Sequence, residues 1–258
     1  MIAAIAGIYI WFWLVLASIA FTSKTGQHTR EMLPHFHPVP VGLSPRPFSH
    51  PDWIYEIKWD GFRALAYLED KQCRLISRNG NEFKSFPALN LALPQECHAQ
   101  NAVLDGEIVC LDKTGNSQFK DLLFRRGDPR YCAFDLLFSN GEDLRYLPLA
   151  DRKHRLRGLI PSNGERLLYC DHVEGMGEEL FHLVCQRDLE GIVAKRKFDP
   201  YLLDRSVSWL KIRNRSYSQF VGREELFERE RHKEPIAGWH SCVIACADSD
   251  DTRTAEPR

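Results

Sequence analysis

The chain has 258 residues, of which 44% are hydrophobic and 27% are charged, and its formal net charge is −1. This composition is typical of a folded globular protein with room for one large domain or two small ones, and it excludes a chain that binds nucleic acid through a global positive charge. The eight cysteines include no C-x-x-C pair, so we expect reduced core residues in a reducing compartment rather than a disulfide framework or a zinc site.

The first predicted element is an apolar stretch at residues 2–21, which carries no charge and has about the length of a membrane-spanning helix. Lys24 and Arg30 follow it, so an inserted helix would leave the rest of the chain in the cytoplasm. In a second interpretation, Met32 starts the protein and residues 1–31 are not translated. Membrane attachment is expected only in the first case, and both interpretations predict a cytoplasmic location for the rest of the chain.

Residues 32–52 form the second predicted element, an extended arm, because six prolines in this stretch disfavour both a helix and a central strand. A domain is predicted at 53–221, followed by a charged, partly disordered extension at 222–258. Strands are predicted at 53–59, 62–68, 73–77, 102–111, 131–138, 166–173, 191–194 and 208–213, and helices at 86–93, 117–124, 149–159 and 176–188. The short strands and a hairpin turn at Asn79-Gly80 favour an α+β fold with largely antiparallel sheets flanked by helices.

The most informative stretch is 54–63, in which apolar and charged residues alternate, as in a half-buried strand, up to a turn at Asp60-Gly61. Lys58 lies at the end of this strand, and its simplest interpretation is a solvated lysine. The alternative is a nucleophile, which requires an unprotonated amine in a partly desolvated, cation-rich pocket. The guanidinium of Arg63 is placed to bind phosphate through a fork of two parallel hydrogen bonds, and Gly61 allows another backbone segment to approach closely.

Acidic residues beside glycines occur in two later predicted strands, Glu107 in Leu-Asp-Gly-Glu and Glu190 in Glu-Gly-Ile-Val. Carboxylates at such positions suit ribose hydroxyls or Mg²⁺, whose hard oxygen shell takes carboxylates and phosphates. Either residue alone is more simply interpreted as a solvated strand end. Beside a nucleophilic lysine, the two predict a nucleotide and metal site.

Further features would complete a nucleotide pocket. Arg78, in Ser-Arg-Asn-Gly, is either a hairpin charge or a phosphate clamp, and Phe134 is either a core residue or a face on which a purine stacks. Lys211 and Arg213 share one face of a predicted strand, where they are either solvated or hold an α-phosphate during in-line transfer. The basic helix predicted at 149–159 is either a DNA-backbone contact or simply solvated.

Taken in order, these stretches resemble the nucleotidyltransferase, or adenylation, domain of ATP-dependent DNA ligases, and the closest likeness is to the ligase domain of bacterial end-joining ligases. The likeness runs from about Trp53 to Arg215. The matching stretches are 58–63, 77–80, 104–107, 131–135, 190–195 and 208–213. Arg205 matches an arginine often found before the last of them, and Arg213 stands where the family more often has a second lysine.

The resemblance implies a nucleotidyltransferase-type, ATP-grasp-like fold and a lysine that accepts AMP. Lys58, kept neutral by nearby cations and burial, would attack the α-phosphorus of ATP, while Mg²⁺ or Mn²⁺ held by Glu107 and Glu190 would offset the developing charge. AMP would then pass to the 5′-phosphate of nicked double-stranded DNA, and the 3′-hydroxyl would displace it to seal the strand in replication or repair. The residues implied in ATP or AMP binding are Glu56, Arg63, Arg78, Glu107, Phe134, Lys195, Arg205, Lys211 and Arg213.

The sequence departs from the family after the last matching stretch, where family ligases continue into an oligonucleotide-binding (OB-fold) domain. About 43 residues follow Arg215, too few for its five-stranded barrel. Whether ligation is complete is therefore left open, and a protein that supplies an OB-fold or recognises DNA ends is a candidate partner. Two alternatives remain: an RNA ligase or capping guanylyltransferase with the same lysine–nucleotide chemistry, and a non-catalytic module that binds DNA ends in a repair complex.

Overall fold

The computed structural model describes residues 33–203 and 208–220 of the chain. The predicted apolar stretch at 2–21, Arg205 and the predicted extension at 222–258 lie outside the described residues. Within the described part, eleven strands form two sheets with four α-helices, and a short 3₁₀ helix follows at Ser218–Phe220. No helix in this part of the chain has both the length and the apolar character needed to cross a bilayer.

The first sheet has five strands, in the order β1 (Gly42–Leu43), β11 (Trp209–Arg213), β10 (Gly191–Arg196), β2 (Trp53–Ile57) and β9 (His172–Glu174). Neighbouring strands are antiparallel except for β1 and β11. Because side chains alternate between the faces of a strand, one face of this sheet is apolar. With helix α4 (Gly177–Gln186), that face forms a core of Trp53, Tyr55, Val184, Ile192, Ala194 and Ile212.

The second sheet has the strand order β4 (Gln72–Ser77), β3 (Phe62–Glu69), β5 (Asn101–Cys110), β6 (Pro129–Ser139) and β7 (Glu142–Asp143), and β8 (Leu167–Tyr169) pairs in parallel with β6. Three helices contribute to the core on its apolar face, α1 (Pro87–Glu96), α2 (Phe119–Leu123) and α3 (Leu149–Leu159). That core contains Ala64, Ala66, Leu89, Leu93, Leu104, Leu122 and Leu156. The buried sides of these helices thus cover one face of the second sheet. The other face of the second sheet is turned toward the first sheet.

The predicted α+β class with largely antiparallel sheets is confirmed. The hairpin turn at Asn79-Gly80 is also confirmed, since Gly80 has φ +80° and its N–H donates to the Ser77 carbonyl at 2.9 Å. The single strand predicted at 166–173 is wrong, because this stretch forms β8 and β9, which belong to different sheets. The two pieces are separated by their strand partners, which lie far away in the sequence.

The proline-rich arm is extended, and from His35 onward it packs onto the domain. Phe36 and Val39 are buried, and the Phe36 N–H donates to the Tyr67 hydroxyl at 2.8 Å. Strand β1 of the arm continues the first sheet beside β11. From His35 onward the arm belongs to the same compact unit as the strands that follow it.

The described cysteines are unpaired thiols, as expected from their apolar surroundings. Cys73, Cys97, Cys110, Cys132 and Cys170 are buried and Cys185 is half-buried. Burial raises the pKa of the Cys73 thiol to about 12, which makes it an inert core group rather than a nucleophile. The remaining two cysteines lie outside the described residues.

Candidate functional site

The charged face of the first sheet is assembled by strand register. Glu56 of β2 lies opposite Val193 of β10, which lies opposite Lys211 of β11, and Gly191 lies opposite Arg213. Residues opposite one another project from the same face of a sheet, and so do residues two apart along a strand. One face therefore carries Glu56, Lys58, Lys195, Trp209, Lys211 and Arg213, while the apolar core occupies the other.

Lys58 lies directly after β2, where its N–H donates to the Gly191 carbonyl at 2.9 Å. Its Nζ forms an ion pair with Glu190 Oε1 at 2.5 Å, and its side chain is 22% exposed. Burial lowers the pKa of Lys58, but the carboxylates of Glu190, Glu107 and Asp60 outweigh it, and the pKa lies above its ordinary value. The expectation that nearby cations keep this amine neutral is therefore wrong for the ligand-free domain, because its neighbours are anions.

Glu107 lies on β5 opposite Arg63 of β3, within the electrostatic reach of Lys58. Burial, Glu190 and Asp60 raise its pKa to about 8, against the lowering effect of Lys58 and Arg63. At neutral pH this carboxyl group is therefore largely protonated in the ligand-free domain. Carboxylates that repel one another in a partly desolvated cleft are the arrangement that a divalent cation relieves.

Glu107 and Glu190 thus fit a divalent cation only when other ligands complete its shell. Among the residues that the structure describes, no group of three or more His, Cys, Asp or Glu side chains is arranged to hold a metal ion. Mg²⁺ commonly takes one or two protein carboxylates and completes its octahedron with water and substrate phosphates. The site therefore suits a metal ion that arrives with a phosphate-bearing ligand.

Arg63 faces the protein rather than an open phosphate site. Its Nε and Nη2 donate to Asp105 Oδ1 and Oδ2 at 3.1 and 2.7 Å, and its Nη1 donates to the Val39 carbonyl at 2.8 Å. The Tyr201 hydroxyl donates to the same Asp105 Oδ2 at 2.7 Å. In this state the predicted phosphate fork of Arg63 is engaged with Asp105.

The close backbone approach predicted at Gly61 is present. A Cβ at Gly61 would lie 2.1 Å from the Ile108 carbonyl oxygen of β5, so any side chain there would push the turn after Lys58 away from the second sheet. This contact places the end of β2 beside the strand that carries Glu107. The glycine therefore helps to bring Lys58 and Glu107 together.

Phe134 lies at an irregularity of β6, where the pairing of β5 with β6 shifts between Asp105 and Gly106. Its ring centroid is 5.7 Å from that of Trp209, at an interplanar angle of 77°. The Nζ of Lys195 lies 4.2 Å from the Phe134 centroid and 3.9 Å from the Trp209 centroid. The predicted stacking ring is thus one wall of a cation–π cluster that joins the two sheets.

Glu56 is a buried carboxylate shared by two buried lysines. Its Oε1 accepts from Lys153 Nζ at 2.6 Å, and its Oε2 lies 2.6 Å from Lys195 Nζ as an ion pair without an aligned hydrogen bond. Lys153 belongs to the basic helix α3, whose solvated interpretation is wrong for this residue and for Arg152. A signal was present, because Leu149, Arg152, Lys153 and Leu156 repeat at the spacing of a core-facing helix stripe.

The other predicted residues lie around this group. Arg78 is exposed on the turn after β4. Ala64 pairs with Ser77 in the antiparallel ladder, so Arg78 follows β4 at the end of the ladder where Arg63 lies. Lys211 and Arg213 are half-buried on β11, and the pairing of Arg213 with Gly191 brings it beside Glu190. Arg205 cannot be compared because it lies outside the described residues.

Comparison with known proteins assigns this chain to a family. The model of the ATP dependent DNA ligase domain matches residues 44–213. The multifunctional non-homologous end joining protein LigD of Pseudomonas aeruginosa is 34% identical over 177 residues, which cover 66% of this chain and 21% of that protein. The SPbeta prophage-derived DNA ligase-like protein LigB of Bacillus subtilis is 32% identical over 184 residues, covering 68% of this chain and 66% of that one.

Solved structures agree with the sequence comparison. Mycobacterial DNA ligase D, complexed with ATP and MES, superposes with a TM-score of 0.59 at 28% identity, covering 69% of this chain and 60% of that one. The ligase domain of LigD from M. tuberculosis gives a TM-score of 0.57 at 29% identity, covering 69% and 58%. The chain thus spans about a fifth of the P. aeruginosa LigD and about two thirds of LigB. By its matching sequence and its fold, the chain belongs to the family of ATP-dependent DNA ligase domains.

Proposed function

We propose that this domain transfers AMP from ATP to its own Lys58 and then to the 5′-phosphate of nicked DNA. The observation that carries the proposal is the position of Lys58 Nζ, 2.5 Å from Glu190 Oε1 and on the sheet face that also presents Lys195, Lys211 and Arg213. An amine paired with a carboxylate, on a sheet face that also carries cations, is an arrangement suited to nucleophilic attack on a triphosphate.

In the proposed first step, the lone pair of Lys58 Nζ forms a bond to the α-phosphorus, and the bond from that phosphorus to the pyrophosphate oxygen breaks. The proton on Nζ needs an acceptor, because the pKa of Lys58 is raised and the amine is protonated at rest. Glu190 Oε1 holds this proton in the ion pair, and the proton would pass to bulk water once Glu190 binds a cation. The cations of β11 would stabilise the negative charge that develops on the phosphate oxygens.

Glu107 and Glu190 would hold a Mg²⁺ ion together with ATP phosphate oxygens. Such an ion supplies Lewis-acid neutralisation of the phosphates during transfer. Binding it requires ionised carboxylates, so Glu107, with a pKa of about 8, would release its proton. The two carboxylates would then no longer be free to hold the proton on Lys58, which favours the neutral amine.

The test is the intact mass of the purified chain after incubation with ATP and MgCl₂. The wild-type chain is expected to gain the mass of one AMP, and to lose it when DNA carrying a 5′-phosphorylated nick is added. Lys58→Ala is expected to gain nothing, because the attacking amine is missing. Lys113→Ala, which removes an exposed lysine from a surface turn, is the matched control and should label as the wild type does.

Formation of the AMP adduct by Lys58→Ala would contradict the proposal. Labelling by GTP in place of ATP would favour the guanylyltransferase alternative, and release of AMP only by nicked RNA would favour an RNA ligase. Binding of nicked DNA with no covalent nucleotide in the wild type would favour a non-catalytic end-binding module.

A further inference from the structure

Helix α3 contributes a fully buried lysine to the charged face of the first sheet. Lys153 is 1% exposed, and its Nζ donates to Glu56 Oε1 at 2.6 Å and to the Cys170 carbonyl at 2.7 Å. The same Nζ lies 4.5 Å from the centroid of the Tyr169 ring. This lysine lies outside all six stretches that resemble the ligase family, and it does not face solvent.

We propose that Lys153 is a positioning residue, which fixes Glu56 so that Glu56 holds Lys195 over the rings of Phe134 and Trp209 in the nucleotide pocket. The inference rests on the proposed adenylation, because it assigns the role of Lys195 to that pocket. Lys153 itself touches neither the rings nor Lys58 in the described contacts. Its effect has to pass through the shared carboxylate.

The geometry gives Glu56 no spare oxygen. One oxygen accepts from Lys153 and the other lies 2.6 Å from Lys195 Nζ, and the carboxylate is 2% exposed. Removal of Lys153 would leave Oε1 buried without its partner, and a buried unsatisfied carboxylate oxygen is costly. Glu56 would then reorient toward its one remaining cation, and Lys195 would lose its fixed place over the two rings.

The charges favour the same role. Burial lowers the pKa of Lys195 and Lys153 lowers it further, while Glu56 raises it, and the pKa lies below its ordinary value. Lys153 keeps its own charge, since the effect of burial on its pKa is exceeded by those of Glu56, Cys170 and Tyr169. Lys153 therefore stays charged beside Glu56, as its hold on that carboxylate requires.

The experiment measures the rate at which the full chain forms the Lys58–AMP adduct in a single turnover, as a function of ATP concentration. Lys153→Met keeps the length of the side chain and removes its charge and donors. We expect the half-saturating ATP concentration to rise by on the order of ten- to a hundredfold, the loss typical of a hydrogen bond to a charged group, with a much smaller change in the maximal rate. A merely structural defect would lower the fraction of labelled protein equally at every ATP concentration.

A double-mutant cycle with Glu56→Gln tests whether Lys153 acts through Glu56. If Lys153 acts through Glu56, adding Lys153→Met to Glu56→Gln should change the half-saturating concentration by less than about twofold. Arg155→Met is the matched control, because Arg155 lies on the same helix with its guanidinium in an exposed pair with Glu142, and it should match the wild type. Should Lys153→Met fail to fold, Lys153→Gln, which keeps a donor without the charge, is judged by the same criteria.

An unchanged half-saturating concentration in the Lys153 variant would overturn the inference while leaving the proposed function intact. Effects that multiply in the double variant would overturn it as well, since they show that Lys153 acts independently of Glu56. Absence of any adduct in the wild type would overturn the inference and the proposed function together.

Discussion

Lys58 and Glu107 both hold protons more firmly in the folded domain than in water. The pKa of Lys58 is raised because three carboxylates outweigh its burial, and the pKa of Glu107 is raised to about 8 because its burial and two acidic neighbours outweigh two cations. The amine proposed as the nucleophile and the carboxyl group proposed to hold Mg²⁺ are therefore both protonated. A bound cation that takes over the carboxylates relieves both conditions at once.

At this scale we predict the pH dependence of Glu107→Gln. A carboxyl group with a folded pKa near 8 and an ordinary pKa of 4.5 binds its proton more tightly in the folded state. Its contribution to stability is therefore complete below about pH 4.5 and is lost as the pH rises toward 8. Glutamine does not titrate. The free energy of unfolding of Glu107→Gln should therefore rise relative to that of the wild type as the pH increases from about 5 to about 8.

Urea unfolding at a series of pH values, without metal or nucleotide, measures this difference. Glu165→Gln, at an exposed position, serves as the control and should stay parallel to the wild type. A constant difference between Glu107→Gln and the wild type across this range would show that Glu107 is ionised in the folded domain.

At the scale of elements, the arm is tied to the second sheet beside the site. The Val39 N–H donates to the Tyr201 hydroxyl at 3.1 Å, that hydroxyl donates to Asp105, and the Val39 carbonyl accepts from Arg63. Tyr201 follows β10, so one hydroxyl links three separate parts of the chain. Burial and Asp105 raise the pKa of Tyr201 far above its ordinary value, which keeps this hydroxyl a donor.

Tyr201→Phe should therefore lower the free energy of unfolding by about 1–3 kcal/mol, the usual cost of leaving a buried hydrogen-bonding group without its partner. Urea denaturation measures the change, and Tyr146→Phe is the control because Tyr146 is 69% exposed. Equal unfolding midpoints for Tyr201→Phe and the wild type would show that the hydrogen bonds of the Tyr201 hydroxyl do not stabilise the attachment of the arm.

Local patterns predicted most elements of this fold, because alternation and helical spacing are properties of short stretches. Strand β3, predicted at 62–68, is observed at Phe62–Glu69, and the helix predicted at 149–159 is observed at Leu149–Leu159. The division of 166–173 between two sheets depends on pairing with β6 and β2, which no local pattern contains. The two-residue strands β1 and β7 are likewise defined only by their partners.

The site was predictable in its residue types and less so in its electrostatics. The family resemblance brought Lys58, Glu107 and Glu190 together, and the structure places these three groups within one cluster of interacting charges, although their roles remain predictions. The sign of the shift at Lys58 was wrong, because it depends on which charges lie nearest in space. Lys153 was missed because a basic helix predicts either a DNA-backbone contact or a solvated surface, although the spacing of Lys153 matched that of the buried leucines.

For the whole molecule, a buried ion pair between Arg152 and Asp135 helps to connect the two sheets. Arg152 of α3 donates from Nε and Nη2 to the two oxygens of Asp135 on β6, each at 2.8 Å. Its Nη1 donates to the Leu147 carbonyl at 2.6 Å and to the Asp199 carbonyl at 3.2 Å. Asp199 follows β10 of the first sheet, whereas β6 belongs to the second, so this guanidinium connects both sheets beside the site.

Arg152→Met should lower the free energy of unfolding by about 3–5 kcal/mol, because it leaves Asp135 as a buried charge without a partner. Replacing both residues, as Asp135→Leu with Arg152→Met, should recover part of that loss, since neither charge of the pair remains. The groups left without a partner are then the two carbonyls and the Leu136 N–H, which donates to Asp135 Oδ1 at 2.8 Å. Arg155→Met is again the matched control on α3, with an expected loss below about 1 kcal/mol for an exposed pair. Urea unfolding measures all four proteins. If the double variant is as unstable as Arg152→Met, Arg152 stabilises the domain through its hydrogen bonds to backbone groups. The connection between the sheets then depends on hydrogen bonds and not on the charges of the pair.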